Sequence, residues 1–257
     1  MPFQKVQPEK LSTSVVHQIE ELILRGILRP GERLPPERDL SERLGVSRPS
    51  LRDAVAMLQE QGLLTTRAGS GIYVADVLGS AFSPALIRLF SEHQDAVFDY
   101  IDFRRDLESL TAARAARYGS DTDLQVVQAV FDKMAVADDR ADPEEEARLD
   151  AQFHLAIVEA SHNVIMLHMV RSMFDLLREG VFYNRQVMFR QKTTRKALLD
   201  QHRAMNTGLQ ARDPDAAAAA VRAHMDFVEQ ALTAQHRADQ NEAVARLRLE
   251  HEKGQSR

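Results

Sequence analysis

Residues 41–55 read SERLGVSRPSLRDAV. Amphipathic helical sequence runs to Leu44, Gly45 interrupts it, and Ser47-Arg48-Pro49-Ser50 opens a second helical pattern. Ser47 is placed to cap that second helix. Pro49 is tolerated in the first turn, where backbone N–H groups have no intrahelical partner. Leu51, Ala54, Val55 and Leu58 form the inward face, and Arg48, Ser50 and Arg52 point away from it. A core hairpin needs only the turn. A helix lying in the DNA major groove needs those side chains too, because arginine makes bidentate bonds to guanine and serine bonds bases or phosphates. Arg38, at the start of the preceding helix, is placed to reach the same groove edge. On these residues alone, two helices of an ordinary α domain with solvated arginines remain an open alternative.

Upstream, the segment 11–26 carries Val15, Val16, Ile19, Leu22 and Ile23 at helical spacing, with Gly26 near its end. Pro30-Gly31 signals a turn, and Pro35-Pro36 sets up a helix from about Glu37. Downstream, the pattern predicts that the second helix ends near Gly62. Two β-prone runs, Leu63–Thr66 and Ile72–Ala75, then flank Arg67-Ala68-Gly69-Ser70-Gly71 and predict a hairpin with a glycine-rich tip. Such a tip would lie along the DNA backbone or in the minor groove, with Gly69 and Gly71 permitting close approach. Three helices and a hairpin thus fill residues 1–76, the first expected domain.

Beyond Asp76 the pattern is wholly helical. A long helix is expected over 95–119, ended by Gly119, followed by helices at about 121–138, 144–161, 163–189, 195–211 and 214–236. Asp142-Pro143, Ser161-His162-Asn163 and Arg212-Asp213-Pro214 mark the breaks. The expected fold class is mainly α, with an antiparallel all-α bundle over 80–236. The charged stretch 237–257 holds 5 basic and 4 acidic residues and reads as a frayed helix or a disordered tail.

The chain has 257 residues, 44% of them hydrophobic, enough for two cored domains. Its net charge of −5 argues against a purely electrostatic nucleic-acid binder. Residues 1–75 carry 10 basic and 9 acidic side chains, so they hold +1 and the remainder −6. There is no Cys, which rules out disulfides and thiolate metal sites and suits a reducing cytoplasm, the expected location. No apolar run approaches the roughly 20 residues of a membrane span. The N-terminal ten residues lack a signal-peptide core.

In the second domain, Asp150 and His154 are four apart and share a helix face. His202 and His224 lie on two helices joined by the Asp213-Pro214 turn, so both are able to face one interior. Oxygen and three nitrogens suit Zn²⁺, Ni²⁺ or Mn²⁺. Lone helical histidines are also common as core or surface residues, and the residues alone leave that alternative open. His168, 14 residues past His154, would lie about 21 Å away on a continuous helix and is excluded from the set. A metal-dependent hydrolase would need a general base or nucleophile paired with the site, and no such motif is evident.

The stretch LRPGERLPPERDLSERLGVSRPSLRDAVAMLQEQGLLTTRAGSGIYV resembles the winged helix-turn-helix of the GntR family of bacterial transcription regulators. The likeness rests on the PPER entry, the GVSRPSLRDA recognition helix, the QGLL strand start and the GSGIYV wing. It implies base or phosphate contact by Arg38, Ser47, Arg48, Ser50, Arg52 and Gly69. Residues 80–236 are similar to the helical effector domain of the FadR-type branch, the FCD domain. That resemblance implies a divalent metal, Zn first, on Asp150, His154, His202 and His224. It also implies an arginine on the first long helix that pairs with the carboxylate of a small organic acid. Arg104 in DFRRDLE matches, with Arg105 the rival if the helix phase is off by one. Tyr183, Asn184, Arg185 and Asn206 are further polar candidates for the pocket.

Within the branch, FSPALIRLFSEHQDAVFDYIDFRRDLE and EASHNVIMLHMVRSM are most similar to repressors of pyruvate dehydrogenase genes. LDAQFHLAIVEASHN and the FDLL…NRQVMF stretch look equally like lactate-responsive members. The pyruvate-responsive pattern lacks part of the Asp/His set, whereas all four ligands are present here. The resemblance therefore implies a homodimeric repressor that binds a two-fold symmetric operator. Pyruvate, lactate or glycolate would release it by shifting the helical domain and changing the spacing of the two DNA-binding units.

Overall fold

The computed structural model describes residues 11–67, 69–76, 83–93, 95–140, 142–178 and 192–255. Two compact units divide the chain, Met1–Ala81 and Phe82–Arg257.

In the first unit, α1 (Leu11–Leu24), α2 (Glu37–Leu44) and α3 (Arg48–Glu60) precede a hairpin of β1 (Leu64–Arg67) and β2 (Gly71–Val74). Gly45 adopts φ 65, the left-handed turn that ends α2 and is strained for any residue with a Cβ. Ser47 caps α3, its Oγ accepting from the Ser50 N–H at 3.2 Å. This satisfies one orphan donor and contributes about 1 kcal/mol. Leu51, Ala54 and Leu58 are wholly buried and pack with Val15, Val16 and Ile19 of α1. The strands are antiparallel, pairing Leu64 with Val74 and Arg67 with Gly71, one residue displaced from the expected runs. A third edge was not anticipated: Arg33 pairs with Tyr73, and the Leu34 N–H donates to Ile72 O at 2.9 Å.

The second unit is entirely helical among the described residues. It comprises α4 (Pro84–Glu92), α5 (Asp95–Tyr118), α6 (Asp121–Arg140), α7 (Pro143–Ala160), α8 (Val164–Arg178), α9 (Lys192–Gln210) and α10 (Pro214–Gln255). Each expected break carries its own cap. Asp142 accepts from the Glu144 and Glu145 N–H groups. Asn163 accepts from Ile165 and Met166, and Asp213 from Asp215 and Ala216. Short joins make α6 and α7, α7 and α8, and α9 and α10 packed neighbours, while α5 packs along α10 and α7. Ile101, Val127, Phe153, Met205 and Met225, one from each of five helices, are fully buried in the shared core.

Two expectations for this unit change. Helix α8 is described only to Arg178, so the remainder of the expected 163–189 helix lies outside the described residues. The stretch after 236 is not a separate tail, because α10 continues to Gln255. No glycine or proline interrupts it before Gly254. Side-chain pairs one turn apart support it, Gln235 with Asp239, His236 with Gln240 and Arg246 with Glu242. No described helix is long and apolar enough to cross a membrane.

The run Ala216–Ala220 is more than helix-forming sequence. A Cβ built on Gly208 of α9 would sit 2.8 Å from the Ala217 backbone nitrogen and 2.9 Å from its Cα. Only small residues allow this crossing, and backbone atoms cannot swing aside. Gly208→Ala is therefore expected to pry α9 from α10, at about 1–3 kcal/mol. The melting temperature by circular dichroism should fall by roughly 2–10 °C; an unchanged transition would refute the close approach.

Candidate nucleic-acid face and metal centre

The capping that starts α3 also fixes what its first turn presents. Ser47 and Ser50 meet through their hydroxyls at 2.9 Å, which orients both at the helix entry. Arg48 is exposed and makes no hydrogen bond or ion pair with the described residues. Arg52, 68% exposed, reaches back to α2 and donates from Nε to Glu37 Oε2 at 2.9 Å. Arg38 is 70% exposed and lies 3.5 Å from Glu42. Exposed pairs of this kind contribute at most about 1 kcal/mol, so phosphate or base oxygens readily replace them. At the wing, Gly69 takes φ 70, and the Arg67 guanidinium covers the Tyr73 ring at 4.4 Å. Arg33 lies beneath the wing, where a Cβ on Gly71 would meet its Nε at 3.0 Å. Sequence reading missed Arg33, because no helical or strand periodicity marks an isolated bridge.

The second candidate site is closed rather than open. Asp150 and His154 on α7, His202 on α9 and His224 on α10 bring one ligand atom each to within 4.8 Å of one another, and all four are buried. His202 Nε2 lies 3.0 Å from Asp150 Oδ1 and 3.3 Å from His154 Nε2, and His154 Nε2 lies 3.8 Å from the same carboxylate oxygen. Ligand atoms about 2.0–2.2 Å from one shared ion would stand at separations of this order. Phe153 packs edge-on against His202, with ring centres 5.4 Å apart.

The protonation pattern shows whether a metal fits. His154 Nδ1 lies 2.6 Å from Glu108 Oε2, and His224 Nδ1 lies 3.0 Å from Gln201 Oε1. The Gln201 oxygen accepts the His224 Nδ1 proton and the Glu108 carboxylate faces His154 Nδ1, an arrangement that favours the tautomer with a free Nε2 lone pair on each. Burial lowers the pKa of His154, against the pull of Glu108 and Asp150. Burial, with His202 and His154 alongside, holds His224 well below its usual value. Three buried imidazoles and a carboxylate thus bring their ligand atoms together, and the donor chemistry of that set fits a divalent cation. His202 Nδ1 has no hydrogen-bond partner among the described residues. A cavity of about 10 Å³ lined by Glu146, Arg195 and His202 adjoins it, the space of one water.

Beside the cluster, Arg104 is 2% exposed and donates from Nε to Glu108 Oε1 at 2.5 Å. It lies over the rings of Phe174 and Tyr100, at 5.1 and 5.8 Å. The helix phase is thereby settled. Arg105 turns outward and ties α5 to α10 through Asp226 at 2.8 Å and Glu229, with Asp102 at 2.6 Å on its own helix. The Arg104–Glu108 pair is one helical turn apart, as a surface pair would be, yet both groups are buried. Burial alone would raise the Glu108 pKa, but the Arg104 guanidinium and His154 hold its carboxyl well below the usual range.

Asn206, one turn beyond His202, is spoken for. Its amide donates to Gln128 Oε1 at 2.7 Å and accepts from Gln210 Nε2 at 3.1 Å. Tyr183, Asn184 and Arg185 lie outside the described residues. Glu108 and Gln201 had no assigned role in the sequence reading, although each stands at legible spacing, one turn from Arg104 and next to His202.

Comparison with known proteins bears on both sites. The family model for bacterial regulatory proteins of the gntR family matches residues 11–74, and the FCD domain model matches 99–227. An Escherichia coli (strain K12) protein named for regulation of an L-lactate dehydrogenase operon is 34% identical over 254 residues, 96% of each chain. The "Glc operon transcriptional activator" of the same strain is 34% identical over 221 residues, 85% of this chain and 87% of that one. A solved structure titled "Streptococcus agalactiae GntR" shares the fold, with TM-score 0.51, 24% identity, and coverage of 85% of this chain and 99% of that one. With an N-terminal winged helix-turn-helix and a helical FCD domain, this chain belongs to the GntR family of bacterial regulatory proteins, in its FadR-type branch, and is a DNA-binding transcriptional regulator rather than an enzyme.

Proposed function

We propose that the protein is a cytoplasmic, homodimeric repressor that binds a two-fold symmetric operator and leaves it when a small 2-hydroxy acid of the lactate or glycolate type binds beside a divalent metal. The observation that carries the reading is the buried Asp150/His154/His202/His224 cluster with the Arg104–Glu108 pair next to it. Arg38, Ser47, Arg48, Ser50, Arg52 and Gly69 form the DNA face. The four cluster residues would hold the metal, Zn²⁺ by donor chemistry with Ni²⁺ and Mn²⁺ as alternatives. When bound, the ion supplies Lewis acidity toward a carboxylate, and Arg104 supplies charged donors for the same group. Release then follows from linkage: an acid that binds the operator-free form more tightly lowers operator affinity by the same factor.

Pyruvate, with pyruvate dehydrogenase genes as targets, is the competing reading. The complete Asp/His set weighs against it, and the name of the lactate operon relative favours a 2-hydroxy acid. Titration of the metal-loaded, operator-bound protein with L-lactate, glycolate and pyruvate separates them. Release by L-lactate or glycolate at concentrations at least about tenfold below pyruvate is expected, a difference of about 1.4 kcal/mol. Arg104→Gln should abolish the response while leaving operator binding intact. If no acid changes operator affinity, the effector reading fails; if pyruvate acts first, the acid class is wrong.

A further inference from the structure

We infer that Glu108 is a positioning residue that serves both halves of the ligand site at once. It holds the His154 imidazole for the metal and the Arg104 guanidinium for the carboxylate. The inference rests on the metal-and-carboxylate reading above and adds a link between its two parts. The two Glu108 oxygens have different partners: Oε1 meets Arg104 Nε at 2.5 Å, and Oε2 meets His154 Nδ1 at 2.6 Å. All three side chains are at most 4% exposed. A carboxylate this deeply buried is costly unless its charge is answered, and here the Arg104 guanidinium and the His154 imidazole stand one on each side of it.

The consequences differ at the two ends. At His154, the carboxylate fixes the Nδ1–H tautomer and turns Nε2 toward Asp150 and His202. It also raises the basicity of the nitrogen left for the ion. At Arg104, Glu108 takes the Nε–H, and the Phe174 ring at 5.1 Å flanks the guanidinium. The same Phe174 ring stands edge-on to His154, with centres 6.3 Å apart. His224, by contrast, leans on the neutral Gln201 amide. Of the outer contacts seen on the three histidines, the one from Glu108 is shared with the arginine. A change at either end is therefore felt at the other through one side chain.

The test uses the full chain loaded with Co²⁺, whose visible absorption reports the donor set, with L-lactate, glycolate and pyruvate as carboxylate probes. Glu108→Gln keeps the shape but removes the charge and one acceptor. Its Co²⁺ affinity in chelator competition should fall about 10–100-fold, with an altered absorption band. At saturating Co²⁺ its affinity for the best-bound acid should also fall, about tenfold, the loss of one charge-assisted contact at Arg104. If Glu108→Gln does not fold, Glu108→Asp carries the same expectation, since it keeps the charge but is too short to meet both partners. A folded variant whose Co²⁺ affinity and spectrum match wild type overturns the proposal. So does one that loses metal affinity but binds the acid as wild type does once saturated. Wild-type protein that takes up no Co²⁺ overturns the metal reading itself, and the two failures are thereby told apart.

Discussion

Arg48→Ala is expected to lower operator affinity by roughly 30- to 20,000-fold. The estimate follows from about 1–3 kcal/mol for each bidentate arginine–guanine pair, doubled for two protomers on one operator. The residue is exposed at the start of α3 and holds no ion pair with the described residues, so its loss leaves the fold of the first unit intact. Arg52→Ala should act in the same direction. The Glu37 contact holds that guanidinium at the α2–α3 corner, so less freedom is lost on docking. Salt dependence separates the two kinds of contact. An arginine on a base costs affinity mainly for the cognate operator, whereas one on a phosphate weakens all sequences alike and reduces the salt slope by about 1. Mobility-shift titrations with cognate and scrambled duplexes at several salt concentrations read both. Operator affinity unchanged in Arg48→Ala would remove α3 as the recognition helix.

The second large effect concerns the metal. Chelation should lower the melting temperature of the helical unit by roughly 8–16 °C. That is the shift for about 4 kcal/mol of linkage stabilisation, reached when the free ion exceeds its dissociation constant about a thousandfold. The source is the set of three imidazoles and a carboxylate buried together, which a shared cation would join. His202→Ala and the volume-conserving Asp150→Asn should each abolish most of the shift. The quantity to compare is the difference between metal-loaded and chelated protein for each variant. Truncating His202, which is wholly buried, costs stability by itself. Identical melting with and without Zn²⁺, Ni²⁺ and Mn²⁺ would reduce the cluster to a packing feature of the core.

Much of the architecture was legible because its signals are local. Turn chemistry acts within three or four residues, so Gly45, the Ser47 cap and Pro49 announce the α2–α3 corner. The three interhelical breaks of the second unit each carry a side-chain cap that the sequence displays. The spacing of Asp150 and His154 follows from helical periodicity alone. Strand ends were less legible: both strands begin and end one residue away from the expected runs, since a four-residue hairpin arm offers little alternation to count.

What the chain by itself determined is therefore the order of elements apart from α4, which no expected helix covered, the division into two units and the residue types offered for DNA and metal. Tertiary packing decided the rest. It buried Arg104 beside the cluster and sent Arg105 to the α10 contact, because neighbouring positions on α5 differ by a 100° step that periodicity alone did not resolve. It assigned Asn206 to a network with Gln128, a partner 78 residues away. It turned Ala216–Ala220 from generic helix into the surface that Gly208 crosses. Above all it set Glu108 between an arginine on its own helix and a histidine on α7, 46 residues on in the sequence. A buried carboxylate takes its meaning from its partners, and those are brought to it only when α5 and α7 pack together.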